Sequence, residues 1–283
     1  MQKIIKNLFI VSIIICILSI FLIIGTYLAV KPNLPQIKYV AESELQMPLK
    51  VYTKDGYLIG EFGEIKRRAT SFDDIPQDIK NAFLSAEDDN FFNHQGISYA
   101  GLIRSFVRCI GSSGCQGGGG TITMQVVRGY LLTPEQTIVR KIKEIFLALE
   151  LEGKVEKEEI FELYVNRIFL GNRSYGIEAA ANTYFNKNLS ELSISESATI
   201  AAIAQLPSRI NPVKNLRRTL QRRDWILSRM FLLDHITEDE YLEAISDDIE
   251  IAKNINLYDV DAKHLAEHVR QEVISRYGLR AYK

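Results

Sequence analysis

The chain has 283 residues, 47% of them hydrophobic, which is enough for one substantial folded domain with extensions and excludes a disordered chain. Its 34 basic and 35 acidic residues give a formal net charge of -1. Because nucleic-acid-binding proteins usually carry a net basic domain or face, this balance argues against a nucleic-acid partner. Any anion-binding site must therefore be local.

The first predicted element is a membrane helix. An uncharged apolar segment of about 23 residues runs from Leu8 to Val30, long enough to span a bilayer core. A cleaved signal peptide is the competing interpretation, but its apolar region is normally shorter and no A-x-A-like cleavage site follows Val30. Lys3, Lys6 and the amino terminus precede the segment, and Lys31 follows it directly. The positive-inside rule therefore predicts a cytoplasmic N-terminus, with the rest of the chain on the outer side.

A β-hairpin is predicted after a short linker that contains PNLP. Alternating apolar residues flank Asp55-Gly56 in PLKVYTKDGYLIGEF, and the glycine supplies the positive φ that a tight turn requires. Four regions are expected along the chain. These are a cytoplasmic tip and membrane anchor at 1–31, a linker and hairpin at 32–70, a main domain at 71–235 and a C-terminal helical segment at 236–283.

The main domain is predicted to be helical. Apolar residues recur at helical spacing at 79–86 and 102–110, and the second of these helices suits either the core or a membrane interface. Capping boxes are expected at Ser193 with Glu196 and at Thr237 with Glu240. A helix beginning near Glu156 is expected to end at Gly171.

A further helix is predicted from Pro134 to about Gly153, with Thr133 as its N-cap. Its buried stripe is expected to consist of five apolar residues: Ile138, Ile142, Ile145, Phe146 and Leu149. Three charged residues, Arg140, Lys141 and Glu144, are then expected on a neighbouring face. That pattern is typical of an exposed ion pair, unless other motifs give it a role.

Two features of the loop that precedes this region leave alternatives open. Cys109 and Cys115 could form a disulfide or remain free thiols, and they lack the further ligands that a metal site needs. Four consecutive glycines, Gly117–Gly120, are costly to order. They suit an ordinary flexible connection, a mobile cover over a substrate site or a backbone that approaches phosphates.

The strongest catalytic signal is AEDDNFFNHQG, with Glu87 and Asp88 at the end of an amphipathic segment and His94 near its close. A glutamate at a helix end is usually solvated, so the motif alone is weak evidence. A second carboxylate, Glu144, lies among basic residues in the block that follows the glycines. Together the two carboxylates and the nearby cations indicate sugar transfer from a phosphate-linked donor.

The order of these motifs resembles the family 51 glycosyltransferase region of class A penicillin-binding proteins of the 1A type. The resemblance covers nearly the whole chain and is carried by VKPNLP, PLKVYTKDGYLIGEFGE, AEDDNFFNHQG, GGTITMQVVR, RKIKEIFLALELE, KEEIFELYVNRIFLGNRSYGIEAAANTYFNK, LPSRINP and RRDWILSRM. It implies a mainly α, lysozyme-like helical domain with a small N-terminal β-hairpin and one transmembrane helix.

The resemblance also implies a peptidoglycan glycosyltransferase that polymerises lipid II into β-1,4-linked glycan strands, with inversion and release of polyprenyl pyrophosphate. Its partners would be lipid II, the growing strand and the membrane, with room for other cell-wall synthesis proteins. Its place would be the bacterial cytoplasmic membrane, with a single span and the catalytic domain on the periplasmic side. No cofactor is required with certainty, although a divalent metal such as Mg²⁺ could act at the pyrophosphate.

Site residues follow from the same resemblance, position by position. Glu87 is expected to be the catalytic base and Glu144 the second catalytic carboxylate. Eight residues are expected to bind substrate: Asp88, His94, Arg104, Thr121, Gln125, Arg128, Arg140 and Lys141. Asn166, Gly171 and Gly176 of the fourth motif, together with Tyr164, are expected to be scaffold.

The sequence departs from the family pattern at several positions. Gly120 stands where the family usually has Ser, Gly129 where it has Asn or Asp, and Arg128 where Lys is commoner, which keeps the charge and changes its geometry. The Gly120 and Gly129 departures put the level of activity in question and keep an inactive structural anchor as one alternative. A membrane-anchored glycan hydrolase or lytic enzyme is the other, although that reaction requires an acid and has no need of three cations.

The C-terminal segment HLAEHVRQEVISRYGLRAYK resembles the region that leads into the transpeptidase half of class A proteins. A penicillin-reactive domain needs a nucleophilic Ser with a Lys three residues on, and a later KTG element. These 283 residues contain neither S-x-x-K nor KTG. We therefore expect them to form no covalent adduct with a penicillin.

Overall fold

The structure is a computed structural model that describes residues 24–35, 37, 49–62, 70–101, 103, 120–132, 137–172, 174–252 and 262–277, together with residues 7, 10, 18 and 21. Most of the segment predicted to span the membrane lies outside these residues, as do Arg104, both loop cysteines and residues 117–119. Residues 24–30 are helical. No helix in the described part of the chain is both long and apolar enough to cross a bilayer.

The described residues contain a two-stranded antiparallel sheet and are otherwise mainly helical, in agreement with the predicted mainly α class. The strands are β1 (Leu49–Tyr52) and β2 (Leu58–Phe62). The helices are α1 (Gln77–Glu87), α2 (Ile122–Leu131), α3 (Ile138–Glu152), α4 (Lys157–Arg167), α5 (Ile177–Phe185), α6 (Ile194–Gln205), α7 (Leu216–Leu232), α8 (Glu238–Ser246) and α9 (Lys263–Tyr277). Short 3₁₀ helices lie at Lys31–Asn33, Phe91–Asn93 and Leu189–Glu191.

The hairpin is confirmed, and it packs against the other end of the described chain. Gly56 has a φ of +89°, as its place in the turn requires. Val51 and Ile59 form a small apolar cluster with Ala266 of α9, separate from the main core. The strands and the C-terminal helix are therefore stabilised by burying each other's apolar side chains, although they lie far apart in the sequence.

Helix α6 lies at the centre of the main core. Every residue from Ser195 to Ile203 is buried, and α1 and α7 pack against this helix. These residues are apolar or small except Glu196, whose carboxylate pairs with Lys187, and the alanines allow neighbouring helices to approach closely. The packing of α1 and α7 on one central helix brings the end of α1, where Glu87 lies, alongside α7.

The capping boxes are confirmed, and two predicted helix ends are corrected. Ser193 with Glu196 and Thr237 with Glu240 form both reciprocal bonds of the box. Helix α3 begins at Ile138 because Thr137, whose hydroxyl accepts from the Arg140 N–H over 3.1 Å, is its N-cap. The predicted cap Thr133 lies outside the described residues.

Helix α4 ends at Arg167, four positions before the predicted end at Gly171. The backbone turns to an extended conformation at Ile168, and Phe169 then pairs with Tyr175 in an antiparallel bridge. Gly171 has a φ of +78° and lies in the tight turn of that bridge. The glycine therefore serves the turn after the helix, not the end of the helix itself.

The predicted buried stripe of α3 is corrected in part. Ile145 packs partly buried against the main core, as predicted, but the fully buried positions lie elsewhere on the helix. Among the side chains of this helix that the structure describes, the buried ones are Glu144, Leu147, Ala148 and Leu151, whereas Leu149 is 40% exposed. The Ile138 side chain lies outside the described part of the chain. The buried residues recur at i, i+3, i+4 and i+7, a helical stripe rotated from the predicted one so that it includes a carboxylate. The periodicity of apolar residues missed this stripe because such a pattern treats Glu as a surface residue. Here two neighbouring cations allow Glu144 to be buried.

Candidate active site

Glu87 is the last residue of α1, and a hydrogen bond ties it to α2. Gln125 Nε2 donates to Glu87 Oε2 over 2.8 Å. Burial raises the pKa of the Glu87 carboxyl from its ordinary value of 4.5. The Gln125 bond and the positive charges of Arg222 and Arg128 lower that pKa, and the charge of Asp88 raises it. A partly buried carboxylate that keeps cationic neighbours is suited to take up a proton and release it again.

Asp88 and His94 lie next to Glu87 and bind each other. His94 Nε2 lies 3.0 Å from both carboxylate oxygens of Asp88, which is 7% exposed. The backbone N–H of Ile122, the first residue of α2, donates to Asp88 Oδ2 over 3.0 Å. An acidic side chain is favourable at a helix N-terminus, so this pair fixes the start of α2 relative to Glu87. Their predicted role in substrate binding stays a prediction.

Thr121 is the N-cap of α2, and it joins the first motif to the second. Its hydroxyl accepts from the Met124 N–H over 3.2 Å and donates to the carbonyl of Gly96 over 2.6 Å. Gly96 has a φ of +79°, and a Cβ there would lie 2.9 Å from the carbonyl oxygen of Ala148 in α3. Glycine at position 96 therefore allows the loop after Glu87, α2 and α3 to meet closely.

Glu144 is a buried carboxylate between two cations. It is 1% exposed, and its oxygens lie 3.2 Å from Arg140 Nε and 3.1 Å from Lys141 Nζ. The approach of Arg140 Nε to Oε1 lacks the alignment of a hydrogen bond, so that contact is electrostatic. The side chains of Arg140 and Lys141 remain 19% and 40% exposed. Glu144 thus holds two cations that keep one side toward solvent.

Lys141 and Arg128 connect this cluster to α2. A Cβ at Gly120 would lie 3.8 Å from Lys141 Nζ, so the ammonium group lies beside the start of α2. Arg128 is exposed on the last turn of α2, and its charge acts on Glu87. One helix therefore carries the partner of the first carboxylate, Gln125, and begins beside Lys141, one cation of the second. Of the predicted site residues, only Arg104 lies outside the described part of the chain.

Sequence reasoning missed Arg222 and gave Tyr164 only a scaffold role. Arg222 of α7 donates from Nη2 to the carbonyl of Ala86, the residue before Glu87, over 3.4 Å. The Tyr164 hydroxyl is buried, has no hydrogen-bond partner among the described residues, and has a pKa raised by burial and by the charge of Glu87. The motif RRDWILSRM contains Arg222, but periodicity could not tell which of its arginines faces α1.

The donor set does not favour a metal held by the protein. Glu144 is paired with two cations, and Asp88 is bonded to His94 and to a backbone N–H. Within the described ranges, no group of three or more His, Cys, Asp or Glu residues is placed to hold a metal ion. The cationic side chains already present are the groups that would face a phosphate.

Comparison with known proteins decides the family. The family model described as Transglycosylase matches residues 55–231, more than half of the chain. The chain belongs to the transglycosylase family. The match spans the hairpin turn, both carboxylates, the cations of α2 and α3 and most of α7. It confirms the family predicted from the motifs and, with it, the enzyme class, a transglycosylase.

Relatives of this transglycosylase domain are named penicillin-binding protein 1A. The protein from Pseudomonas aeruginosa is 47% identical over 258 residues, which are 91% of this chain and 31% of that protein. The Escherichia coli protein is 37% identical over 282 residues, covering 100% of this chain and 33% of its own length. The chain thus spans about a third of the length of these curated relatives.

A solved structure agrees with the fold. The crystal structure of penicillin-binding protein 1A from Haemophilus influenzae matches with a TM-score of 0.52 and 33% sequence identity. The match covers 83% of this chain and 25% of that chain. The helical architecture described above is therefore shared with one part of a larger protein.

Proposed function

We propose that this domain polymerises lipid II into β-1,4-linked glycan strands, with Glu87 as the catalytic base. The observation that carries the proposal is the arrangement around α2. That helix binds Glu87 through Gln125, carries Arg128 and lies against Lys141, which is paired with Glu144. Helix α2 thus connects a candidate base with candidate cations. A transfer from a pyrophosphate-linked sugar requires both kinds of group.

Glu87 supplies the first half of the chemistry. The 4-hydroxyl of the acceptor sugar is a poor nucleophile until a carboxylate takes its proton. As the oxygen attacks C1 of the donor sugar, its proton passes to Glu87 and the new C1–O bond forms. The hydrogen bond from Gln125 holds the receiving carboxylate in place. Because attack comes from the face opposite the leaving group, an α-linked donor gives a β-linked product.

The cations supply the second half. As the bond between C1 and the phosphate oxygen breaks, the electron pair goes to the polyprenyl pyrophosphate. This group is already a weak base, so it needs charge stabilisation more than protonation. Arg128, Arg140 and Lys141 are the candidates, and charge-assisted hydrogen bonds to phosphate are about twice as strong as neutral ones. Glu144 orients two of them and takes no proton in this scheme.

The same proposal places the protein at the outer face of the bacterial cytoplasmic membrane. Lipid II and the growing strand both carry polyprenyl tails, and confining enzyme and substrates to one surface raises their effective concentration. The uncharged segment from Leu8 to Val30 supports a single span with a cytoplasmic N-terminus. A complex with other cell-wall synthesis proteins would be compatible with this placement.

The test is incubation of the detergent-solubilised chain with labelled lipid II, followed by gel separation of the products. Wild-type protein should give a ladder of polymer, and Glu87→Gln should reduce its rate by at least about 10²-fold. Glu243→Gln, an exposed glutamate of α8, is the matched control and should keep wild-type activity. No polymer from the wild type would overturn the function, and polymer from Glu87→Gln near the wild-type rate would overturn the base assignment.

A further inference from the structure

Arg222 is the first residue of RRDWILSRM, a motif that the proposed mechanism does not use. It is a partly buried arginine of α7, and α7 packs against α1. Its Nη2 donates to the carbonyl of Ala86 over 3.4 Å, at the C-terminal end of α1. The last carbonyls of a helix have no partner within the helix, and a cation is favourable at that end. Arg222 therefore binds the backbone at the residue that precedes Glu87.

A second contact fixes the guanidinium in place. The Arg222 guanidinium lies over the ring of Trp225, 4.0 Å from its centroid. Arg222 Nε is buried without a hydrogen-bond partner in the described part of the chain. Stacking on an aromatic ring and a carbonyl contact at one end leave the positive charge directed toward the end of α1. The charge of Arg222 acts on the Glu87 carboxylate from there.

We infer that Arg222 is a positioning residue for Glu87, holding the C-terminal end of α1 and keeping a fixed positive charge beside the base. The inference rests on the proposed function, because it assigns Arg222 a part in the work of Glu87. It separates Arg222 from Arg128, Arg140 and Lys141, whose proposed work is at the leaving group. Arg222 would make no contact with lipid II.

Several charged or titratable groups act on Glu87, and Arg222 has to be separated from them. Burial raises the pKa of Glu87, and Asp88 raises it further. Gln125 and Arg128 on α2 and Arg222 on α7 lower the pKa of Glu87. Tyr164 of α4 is close enough to Glu87 that the charge of Glu87 raises the pKa of the tyrosine. Removing Arg222 takes away one of the lowering influences, so the base should need a higher pH to ionise.

The experiment measures polymer formation by the full chain from labelled lipid II between about pH 5 and 9. In Arg222→Gln, kcat should fall at least about tenfold, the acid limb of the kcat profile should move to higher pH, and KM should stay within about twofold. Arg222→Lys, which keeps the charge, should restore the acid limb toward its wild-type position while kcat recovers only in part. Thermal unfolding of each variant tests whether the fold is retained.

Arg229→Gln is the matched control. Arg229 lies seven residues further along the same face of α7 and pairs with Asp89, just beyond Glu87. It therefore tethers the same two regions, whereas the charges that act on the Glu87 carboxylate are those of Arg222, Arg128 and Asp88. The acid limb of Arg229→Gln should stay at the wild-type pH.

Three results would overturn the inference. The first is an unshifted acid limb in Arg222→Gln, the second is a rise in KM with kcat retained, and the third is an equal shift in Arg229→Gln. Failure of the proposed function would look different, since the wild type would then form no polymer, and failure of the base assignment would leave Glu87→Gln active. If Glu87→Gln is inactive and the Arg222→Gln profile is unshifted, only the positioning role fails.

Discussion

Gln125 Nε2 donates to Glu87 Oε2 over 2.8 Å, which joins the middle of α2 to the last residue of α1. Thr121 is the N-cap of the same helix, and its hydroxyl donates to the carbonyl of Gly96. Ile122 is the first residue of the helix, and its N–H donates to Asp88. The first and second motifs are therefore one bonded unit. A change in any of these contacts should be felt at Glu87.

The first prediction concerns the pH dependence of stability. Burial raises the pKa of Glu87 above 4.5, so the folded state holds this proton more tightly than the unfolded state does. The stability gained from holding this proton is fully present below pH 4.5, and it is lost as the pH rises through the folded-state pKa of Glu87. Glu87→Gln stays neutral, so its Tm should exceed that of the wild type at about pH 7, with a smaller difference at about pH 4. A constant difference across this range, measured by calorimetry, would contradict the prediction.

The second prediction concerns Gln125. In Gln125→Leu the Glu87 carboxylate loses a bond that lowers its pKa, so the acid limb of the kcat profile should move to higher pH. Loss of one hydrogen bond to a charged group corresponds to roughly 1.5–3 kcal/mol, or about one to two decades in rate if all of it acts in the transition state. Gln205→Leu at the C-terminal end of α6 is the control. An unchanged pH profile would show that Gln125 does not act through Glu87.

Glu87 and Arg222 show which parts of the site can be predicted from the sequence and which cannot. Glu87 lies in a dense local motif, and its neighbours in that motif, Asp88 and His94, are close to it in the sequence, so the motif predicted their proximity. The contact of Arg222 with Ala86 spans 136 residues. No local pattern encodes it, because it depends on how α1 and α7 pack on α6.

Capping boxes and the burial of Glu144 show the same difference between local contacts, which the sequence predicts, and contacts that depend on charge pairing. Capping boxes at Ser193 and Thr237 were predictable because every bond in them is local. Burial of Glu144 was not, because it depends on pairing with Arg140 and Lys141, which a periodicity based on apolar residues does not register. The family resemblance identified Glu144 where the helical pattern alone favoured a solvated side chain.

The third prediction concerns Glu144. Glu144→Gln removes the charge that pairs with Arg140 and Lys141, and breaking a fully buried pair costs about 3–5 kcal/mol. Because Lys141 is 40% exposed, solvent screens part of the loss, and we expect about 1–3 kcal/mol from denaturant unfolding. Polymer formation should fall at least about tenfold as the two cations lose their orientation.

Glu150→Gln on the same helix provides the comparison for Glu144. Glu150 pairs with Lys154 over 2.6 Å at the surface, where the side chains are 40% and 57% exposed. An exposed pair contributes about 0–1 kcal/mol, so this variant should be nearly as stable and as active as the wild type. Equal losses in the two variants would mean that Glu144 has no special part in the site.

The fourth prediction compares two buried tyrosines. The Tyr164 hydroxyl has no partner in the described structure, so Tyr164→Phe should leave stability unchanged or raise it by up to about 1 kcal/mol, and activity should persist. The Tyr184 hydroxyl donates to the Leu170 carbonyl over 2.7 Å and accepts from Asn211 over 3.2 Å. Tyr184→Phe should therefore cost about 1–3 kcal/mol. A large loss of activity in a stable Tyr164→Phe variant would give Tyr164 a catalytic role.

The last prediction concerns Gly120, where the family usually has Ser. A Cβ at this position would meet Lys141 Nζ at 3.8 Å and Met124 Cβ at 3.9 Å, which are ordinary contact distances. Gly120→Ser should therefore fold with a stability within about 0.5 kcal/mol of the wild type. By contrast, Gly176 has a φ of +80° and a Cβ there would lie 2.7 Å from the Asn166 carbonyl oxygen, so Gly176→Ala should cost about 2 kcal/mol or more.

The hydroxyl added by Gly120→Ser would lie beside Lys141 at the start of α2, where it could share a phosphate oxygen with the ammonium group. We expect the kcat of this variant for polymer formation to rise several-fold, and a fall in kcat at unchanged stability would show that this site is adapted to glycine.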